Sequence, residues 1–367
     1  MGLDGGSTVI AITSFGTTPD GAEARVFELA EGAARVRVSD FGATVVGVDV
    51  PDARGSVSDV ALGFADVSGY AGPNGACYGG TIGPVANRTD RAEVPIGGTT
   101  YRLAGNDGPD RANNLHSDLD RGLHKRLWSA VADEGGNAVT MTCSLADGEL
   151  GLPGNRTFTA RFELAAGADG SIELTVAYGC ESDAPTYVNM TNHSYFNLSG
   201  HDSGDVLGTL VSVDADGFLP LRSDCVSAGE VRPVDGTPFD FREPRALGER
   251  IDADDEQIRI ARGYDHCLCV RGWEAAGSPR HALRAVDPAS GRSLDVLVTT
   301  PGAHLYTGNW LDDRDAKGGA AYAPRSGFAF EPEFYPDCVH HGDWPQSVCG
   351  PGAPYASTIV YRFSVAR

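Results

Sequence analysis

The chain of 367 residues is long enough to bury a substantial core, and its 29 basic against 50 acidic side chains leave a formal charge of −21. So acidic a protein repels phosphate backbones and anionic bilayers, which argues against nucleic-acid and membrane-surface binding and favours a neutral ligand. No stretch approaches the ~18 apolar residues of a membrane span, and Met1 to Phe15 has neither a basic nor an apolar block of the exported kind; the expected location is cytoplasmic.

In chain order, the first 35 residues yield no assignable element. From there a period of two dominates, through residues 34–38, 138–142, 156–162, 171–176 and 358–365. Each run is bounded by Gly, Pro, Asn or Asp, as short antiparallel strands closed by turns require. Helical periodicity is scarce; residues 245–261, with Leu247, Ile251, Ile258 and Ile260, predict one short helix. A prior of roughly 150 residues per domain suggests two domains, but all-β folds commonly run longer. The 48 glycines and 21 prolines are spread throughout and no composition shift marks a boundary. The expectation is therefore all-β: one large antiparallel β-sandwich over residues 1–367, with at most short helices.

The eight cysteines include no CxxC, and the one close pair is Cys267 and Cys269. Zinc sites want two such pairs or a Cys/His set at fixed spacing, so free buried thiols and no metal are expected. Asn-X-Ser/Thr triplets at Asn87, Asn155, Asn189, Asn192 and Asn197 carry no weight without an export signal.

Six segments are too rich in polar and aromatic groups for plain strands or turns. Residues 79–88 end in Asn87-Arg88 and lack any phosphate-loop pattern; Arg88 is a hydrogen-bond donor for sugar hydroxyls or a surface ion-pair arginine. Residues 113–116 end in His116. In residues 188–200, His193 sits among Asn189, Asn192, Tyr195, Phe196 and Asn197, a mixture of amides and rings that suits hydroxyls and a flat sugar face. Residues 263–267 offer Asp265 and His266, and residues 306–310 run from Tyr306 to Trp310. In residues 327–333, Glu331 follows Phe328 and Phe330, so it is partly desolvated and its basicity raised. Pro332 argues against the strand continuing so as to put Glu333 on the same face. No nucleophile elbow, metalloprotease helix or dinucleotide fingerprint competes.

Together these segments resemble the aldose 1-epimerase (galactose mutarotase) family, from about Tyr78 to Val365 and in that family's order. The pieces that carry the resemblance are Val85-Ala-Asn-Arg88, Asn114-Leu-His116, Thr191-Asn-His-Ser-Tyr-Phe-Asn-Leu-Ser-Gly200, Tyr264-Asp-His266, Tyr306-Thr-Gly-Asn309 and the strand ending in Glu331 before Tyr335-Pro-Asp337. The resemblance implies a galactose mutarotase-like sandwich with an open cleft. It also implies interconversion of the α and β anomers of a free aldose, with His193 as general acid and Glu331 as general base. Asn87, Arg88, His116 and Asp265 would hold the sugar, with Tyr306, Asn309 and Phe196 behind them. No cofactor is implied. Acidic neighbours such as Asp265 should keep His193 protonated near neutrality, giving a bell-shaped rate profile that is not flat between about pH 5 and 8.

Three departures fall on the sugar-holding side: Pro84 where the family often has Arg, Ser117-Asp118 where it usually has Gly-Gly, and His304 where it often has Gln. They bear on sugar preference. Competing readings are a sugar-phosphate epimerase, a binding module that has lost turnover, and a glycosidase using two carboxylates about 5 to 10 Å apart. Monomer and homodimer stay open.

Overall fold

A computed structural model describes residues 10–366. It is built of strands, and the α-helices among the described residues are two short ones, Val67–Ala71 and Glu256–Ala261. Three antiparallel sheets carry the architecture. A five-stranded meander runs from Ala11–Thr17 to Val57–Asp59, each strand beside its successor. A nine-stranded sheet centres on Arg156–Ala166, Ile172–Ser182 and Tyr355–Val365, each 11 residues long. A six-stranded sheet has the order Tyr195–Phe196, Phe328–Glu333, Gly302–Tyr306, Asp265–Val270, Ala215–Phe218, Arg232–Pro233.

The two larger sheets share one core: Phe158, Val176 and Tyr361 of the nine-stranded sheet belong to the same buried cluster as Leu268, Leu305 and Phe330 of the six-stranded sheet. This is a β-sandwich. Because successive Cβ atoms point to opposite faces, the three central strands of the smaller sheet sort their residues cleanly. Leu268, Ala303, Leu305, Phe328 and Phe330 turn into the core. Asp265, Cys267, His304, Tyr306, Glu331 and Glu333 occupy the alternate positions, and Cys267, His304 and Glu331 are register partners across the three strands. Burial of each large apolar side chain stabilises by roughly 1.5–3 kcal/mol. A one-residue slip would exchange the faces and is strongly disfavoured; the register that seats the phenylalanines also sets the polar row.

Four of the five alternating runs lie within strands starting at Ala34, Ala138, Arg156 and Tyr355, and the fifth, residues 171–176, begins one residue before the strand that starts at Ile172. The unassigned N-terminal stretch holds two strands, Ala11–Thr17 and Glu23–Glu31, while the segment before residue 10 lies outside the described residues. The helix expected over residues 245–261 is shorter. A two-residue strand and a 3-10 turn occupy its first part, and the helix begins only where Asp255 caps the amides of Gln257 and Ile258. A side chain that accepts from its own downstream amides starts a helix and cannot sit inside one.

The doubt over Pro332 is overturned. The strand runs through it to Glu333. Its outer neighbour Tyr195–Phe196 ends opposite Ala329, so at Pro332 the ladder has a partner on one side only, where proline is tolerated.

Candidate active site

The polar face of the six-stranded sheet floors a cleft of about 670 Å³, walled by Asn87, Arg88, His116, His193, Asp265 and Tyr306 among others. Glu331 lies beneath it, 2% exposed.

His193 is positioned by its backbone. Its N–H donates to Gly80 O and its carbonyl accepts from Gly79 N–H, a two-bond clamp. Gly79 has φ +63°, and a Cβ there would stand 1.9 Å from the Val45 carbonyl oxygen, so only glycine fits. The His193 ring lies tilted over Tyr195 at 5.0 Å and edge-on to His116 at 5.3 Å. Its Nε2 is 3.4 Å from Glu331 Oε2. Neither His193 Nδ1 nor Glu331 Oε2 has a hydrogen-bond partner among the described residues, although both are buried. Such atoms are costly to leave unpaired and mark where a ligand completes the site.

The opposite wall is built on left-handed backbone: Asn87 (φ 59°), His116 (φ 54°) and Ser117 (φ 63°). Strain of this kind persists where the surroundings over-determine it. Ser117 Oγ accepts from Val85 N–H and donates to Val85 O, which pins the turn. His116 Nδ1 accepts from Asn87 N–H at 3.1 Å, so the proton of the neutral ring sits on Nε2. Burial pushes the His116 pKa well down. Arg88 is not a surface arginine: its Nε donates to Asp107 at 2.9 Å and its Nη1 lies 3.7 Å from Asp265, with a side-chain exposure of 14%.

Three positions of the face, Asp265, His304 and Glu333, form a buried chain of ionisable groups. His304 Nε2 lies 2.9 Å from Asp265 Oδ1, and Nδ1 lies 3.3 Å from Glu333 Oε1 and 2.9 Å from Asn87 Nδ2. Burial works against a charged His304, but the two carboxylates win and push it up to about 10. Burial likewise opposes ionised Asp265, yet His304 and Arg88 hold it at about 2.

The expectation that Asp265 keeps His193 protonated is corrected. Burial lowers His193 to about 4, outweighing the raising effect of Asp265, and His304 adds repulsion. Burial raises Glu331 well above the carboxylate range, against the pull of His304. The unliganded pair therefore holds its one labile proton on the carboxyl.

The amide-rich segment is also corrected. Asn189 donates to Phe334 O and accepts from Phe334 N–H, standing in for a strand partner past Glu333. Asn192 donates to Gly79 O and accepts from Ser194 Oγ and Tyr361 Oη. Asn197 donates to Gly204 O and Ser326 O, and Phe196 packs on Tyr361 and Phe363. These residues build the frame; His193 and Tyr195 face the cleft. Asn309 is bonded to Ala261 O and Tyr264 O. Asp107 was missed because it lies in a glycine-flanked turn with no periodic signal.

His116, His193 and Glu331 present ligand atoms within 4.8 Å of one another. A cation there would occupy the same atoms that proton exchange between His193 and Glu331 requires, and the two uses exclude each other. Among the described residues, Arg88 is the one Lys or Arg lining the cleft, beside Asp107, Asp224, Asp265, Asp312 and Asp313. A phosphate would find one cation, already paired, among five carboxylates. A second hollow of about 860 Å³ on the nine-stranded sheet has Arg284 bonded to Asp295 and Arg362 to Glu173, while its third arginine, Arg292, donates to the carbonyls of Val50, Leu198 and Ser56.

Sandwich and cleft thus fit a sugar isomerase. The aldose 1-epimerase family model matches residues 25–362, and the chain belongs to that family. It is 37% identical over 354 residues to human galactose mutarotase, covering 96% of this chain and 98% of that one. To the aldose 1-epimerase of Escherichia coli K12 it is 34% identical over 349 residues, covering 94% and 96%. Among solved structures, an aldose epimerase homologue from C. elegans superposes with a TM-score of 0.83 at 26% identity, covering 94% of this chain and 100% of that one.

Proposed function

We propose that this aldose 1-epimerase, an isomerase of α and β sugar anomers, acts on a neutral aldose of the galactose or glucose type. Glu331 is the general base, His193 the general acid, and residues 1–367 work as one domain. The carrying observation is the buried pair 3.4 Å apart with an unpartnered atom on each member.

Ring opening removes the proton of the anomeric hydroxyl and protonates the ring oxygen. The pair holds one labile proton, which is what the reaction needs: one member lacks it and accepts, the other carries it and donates. Sugar hydroxyls reaching the unpartnered atoms replace lost hydration, favour the ionised form and move the proton from Glu331 to His193. Glu331 then takes the anomeric proton while His193 protonates the ring oxygen. Rotation about C1–C2 turns the aldehyde, and closure with roles exchanged restores the starting state. Each group contributes about 10²- to 10⁴-fold. Arg88, Asp265 and the Nε2–H of His116 hold hydroxyls. Asn87, its amide already bonded, keeps His116 and His304 in place.

One paired arginine among five carboxylates disfavours a sugar phosphate, and a mere binding module has no use for the acid–base pair. Eight free cysteines fit a reducing cytoplasm. The test is polarimetry on freshly dissolved α-D-galactose and α-D-glucose with wild type, His193→Ala and Glu331→Ala. Faster approach to anomeric equilibrium by wild type, largely lost in either variant, supports the reading. A wild type equal to buffer on both sugars refutes it.

A further inference from the structure

One wall of the cleft is aromatic and runs from the His193 ring to the mouth. His193 lies 5.0 Å from Tyr195, and Tyr195 stands edge-on to Tyr306 at 5.8 Å. The Tyr306 hydroxyl then accepts from the backbone N–H of Trp310 at 3.1 Å. His193 and Tyr195 are buried, Tyr306 is half-buried, and Trp310 is 56% exposed. Trp310 is the one exposed aromatic ring among the described residues, and it lines the cleft.

A single exposed apolar residue is ordinary; Trp310 is set apart by how it is held. Its turn is fastened on both sides. Asn309 donates to Ala261 O and Tyr264 O, while Leu311 is buried and its N–H closes on Gly308 O. The Arg262 guanidinium stands 3.9 Å from the centre of the indole, within the range of a cation–π contact. Arg262 ends the helix Glu256–Ala261 in left-handed backbone and is not among the cleft residues, so it covers the ring from outside. The indole is thereby fixed at the mouth as a flat surface that the core does not use.

The chemistry says which part of a sugar meets it. C1 and the ring oxygen have to reach Glu331 and His193 at the floor, so C4, across the ring from C1, points to the mouth. An axial 4-hydroxyl leaves the hydrogens of C3, C4 and C5 together on the opposite face, as one unbroken apolar patch. An equatorial 4-hydroxyl divides them between the two faces. A flat aromatic ring gains more from the unbroken patch.

We propose that Trp310 is a specificity-determining residue of this site: its indole packs on the C3–C5 hydrogen face of the sugar and favours the galacto over the gluco configuration. The proposal rests on the preceding assignment of Glu331 and His193 as the groups that meet C1 and the ring oxygen.

The experiment measures kcat and KM by polarimetry on α-D-galactose and α-D-glucose for wild type, Trp310→Phe, Trp310→Ala and Glu331→Gln. Trp310→Ala should raise KM about tenfold for galactose and about threefold or less for glucose, with the smaller change in kcat. Trp310→Phe keeps a smaller ring and should fall between on galactose. The second measurement is fluorescence. Trp128 and Trp344 are buried and Trp273 packs on Phe334, so galactose should quench wild-type tryptophan emission through Trp310, and Trp310→Phe should lose that response. An unchanged galactose KM in Trp310→Ala, equal KM rises on the two sugars, or the same quenching in Trp310→Phe overturns the proposal alone, provided that wild type is active and Glu331→Gln is not. A wild type equal to buffer, or wild-type turnover by Glu331→Gln, overturns the functional assignment and this proposal with it.

Discussion

His193 Nε2 and Glu331 Oε2 face each other across 3.4 Å in a site where both side chains are almost fully buried. Burial alone drives the imidazole toward its neutral form and the carboxyl toward its protonated form. The two shifts are complementary: the pair keeps one proton over a wide range of pH.

Removing either member should therefore abolish most of the rate. His193→Asn and Glu331→Gln are each expected to lower kcat by about 10²- to 10⁴-fold, and the double variant little further, because the two act as a unit. Polarimetric kcat values for the four proteins check this.

The pH profile follows from the same pair and differs from a narrow bell. Neutral His193 gains a second proton only as pH falls toward about 4. Glu331, raised by burial, gives up the shared proton well above the ordinary carboxylate range. A broad plateau in kcat/KM through about pH 5 to 8 is expected, falling on both sides. A single steep limb within that interval would contradict it.

Asp265→Asn keeps the volume of the side chain but removes the charge held by His304 and Arg88. KM should rise about tenfold or more with a smaller change in kcat, since a charged hydrogen bond to substrate is lost. Steady-state kinetics on galactose separate the two.

Stability should fall on acidification below the histidine range. Burial holds His124 and His266 at about 3 and His193 at about 4. The unfolded chain takes up protons near pH 6.5 that the native state refuses. Their contribution is thus fully present above about pH 6.5 and lost as pH falls toward 4 for His193 and toward 3 for His124 and His266, by up to about 1.4 kcal/mol per pH unit for each. Both ring nitrogens of His124 are buried without hydrogen-bond partners among the described residues. Comparing Tm against pH for wild type and His124→Leu isolates one histidine, and the variant should show the shallower slope.

Asn189→Ala tests the reading of the amides as frame. It leaves the N–H and carbonyl of Phe334 unpaired just beyond Glu333. A loss of about 2–3 kcal/mol by chemical denaturation is expected, with KM raised because the strand end beneath the cleft loosens.

The strands were legible in the sequence because alternation is a local signal: residues 156–162 or 358–365 carry their own face assignment. Glu331 could be singled out for a similar reason, as a carboxylate placed on an apolar strand. The order of motifs marked His193, Asn87, Arg88, His116 and Asp265, and all of them meet at the one cleft. What local pattern cannot hold is the identity of a partner on another strand. Asp107 reaches Arg88 from a turn, Asn189 serves the backbone of Phe334 from 145 residues away, and the amides around His193 face the frame instead of a sugar. The protonation state of His193 was decided the same way. Alternation along the chain suffices to say which residues point inward and which chemistry lies on the polar face. The depth at which that face is buried is a property of the assembled fold. Desolvation depends on every element packed above a group, and here it outweighs the nearby charge that the sequence makes visible.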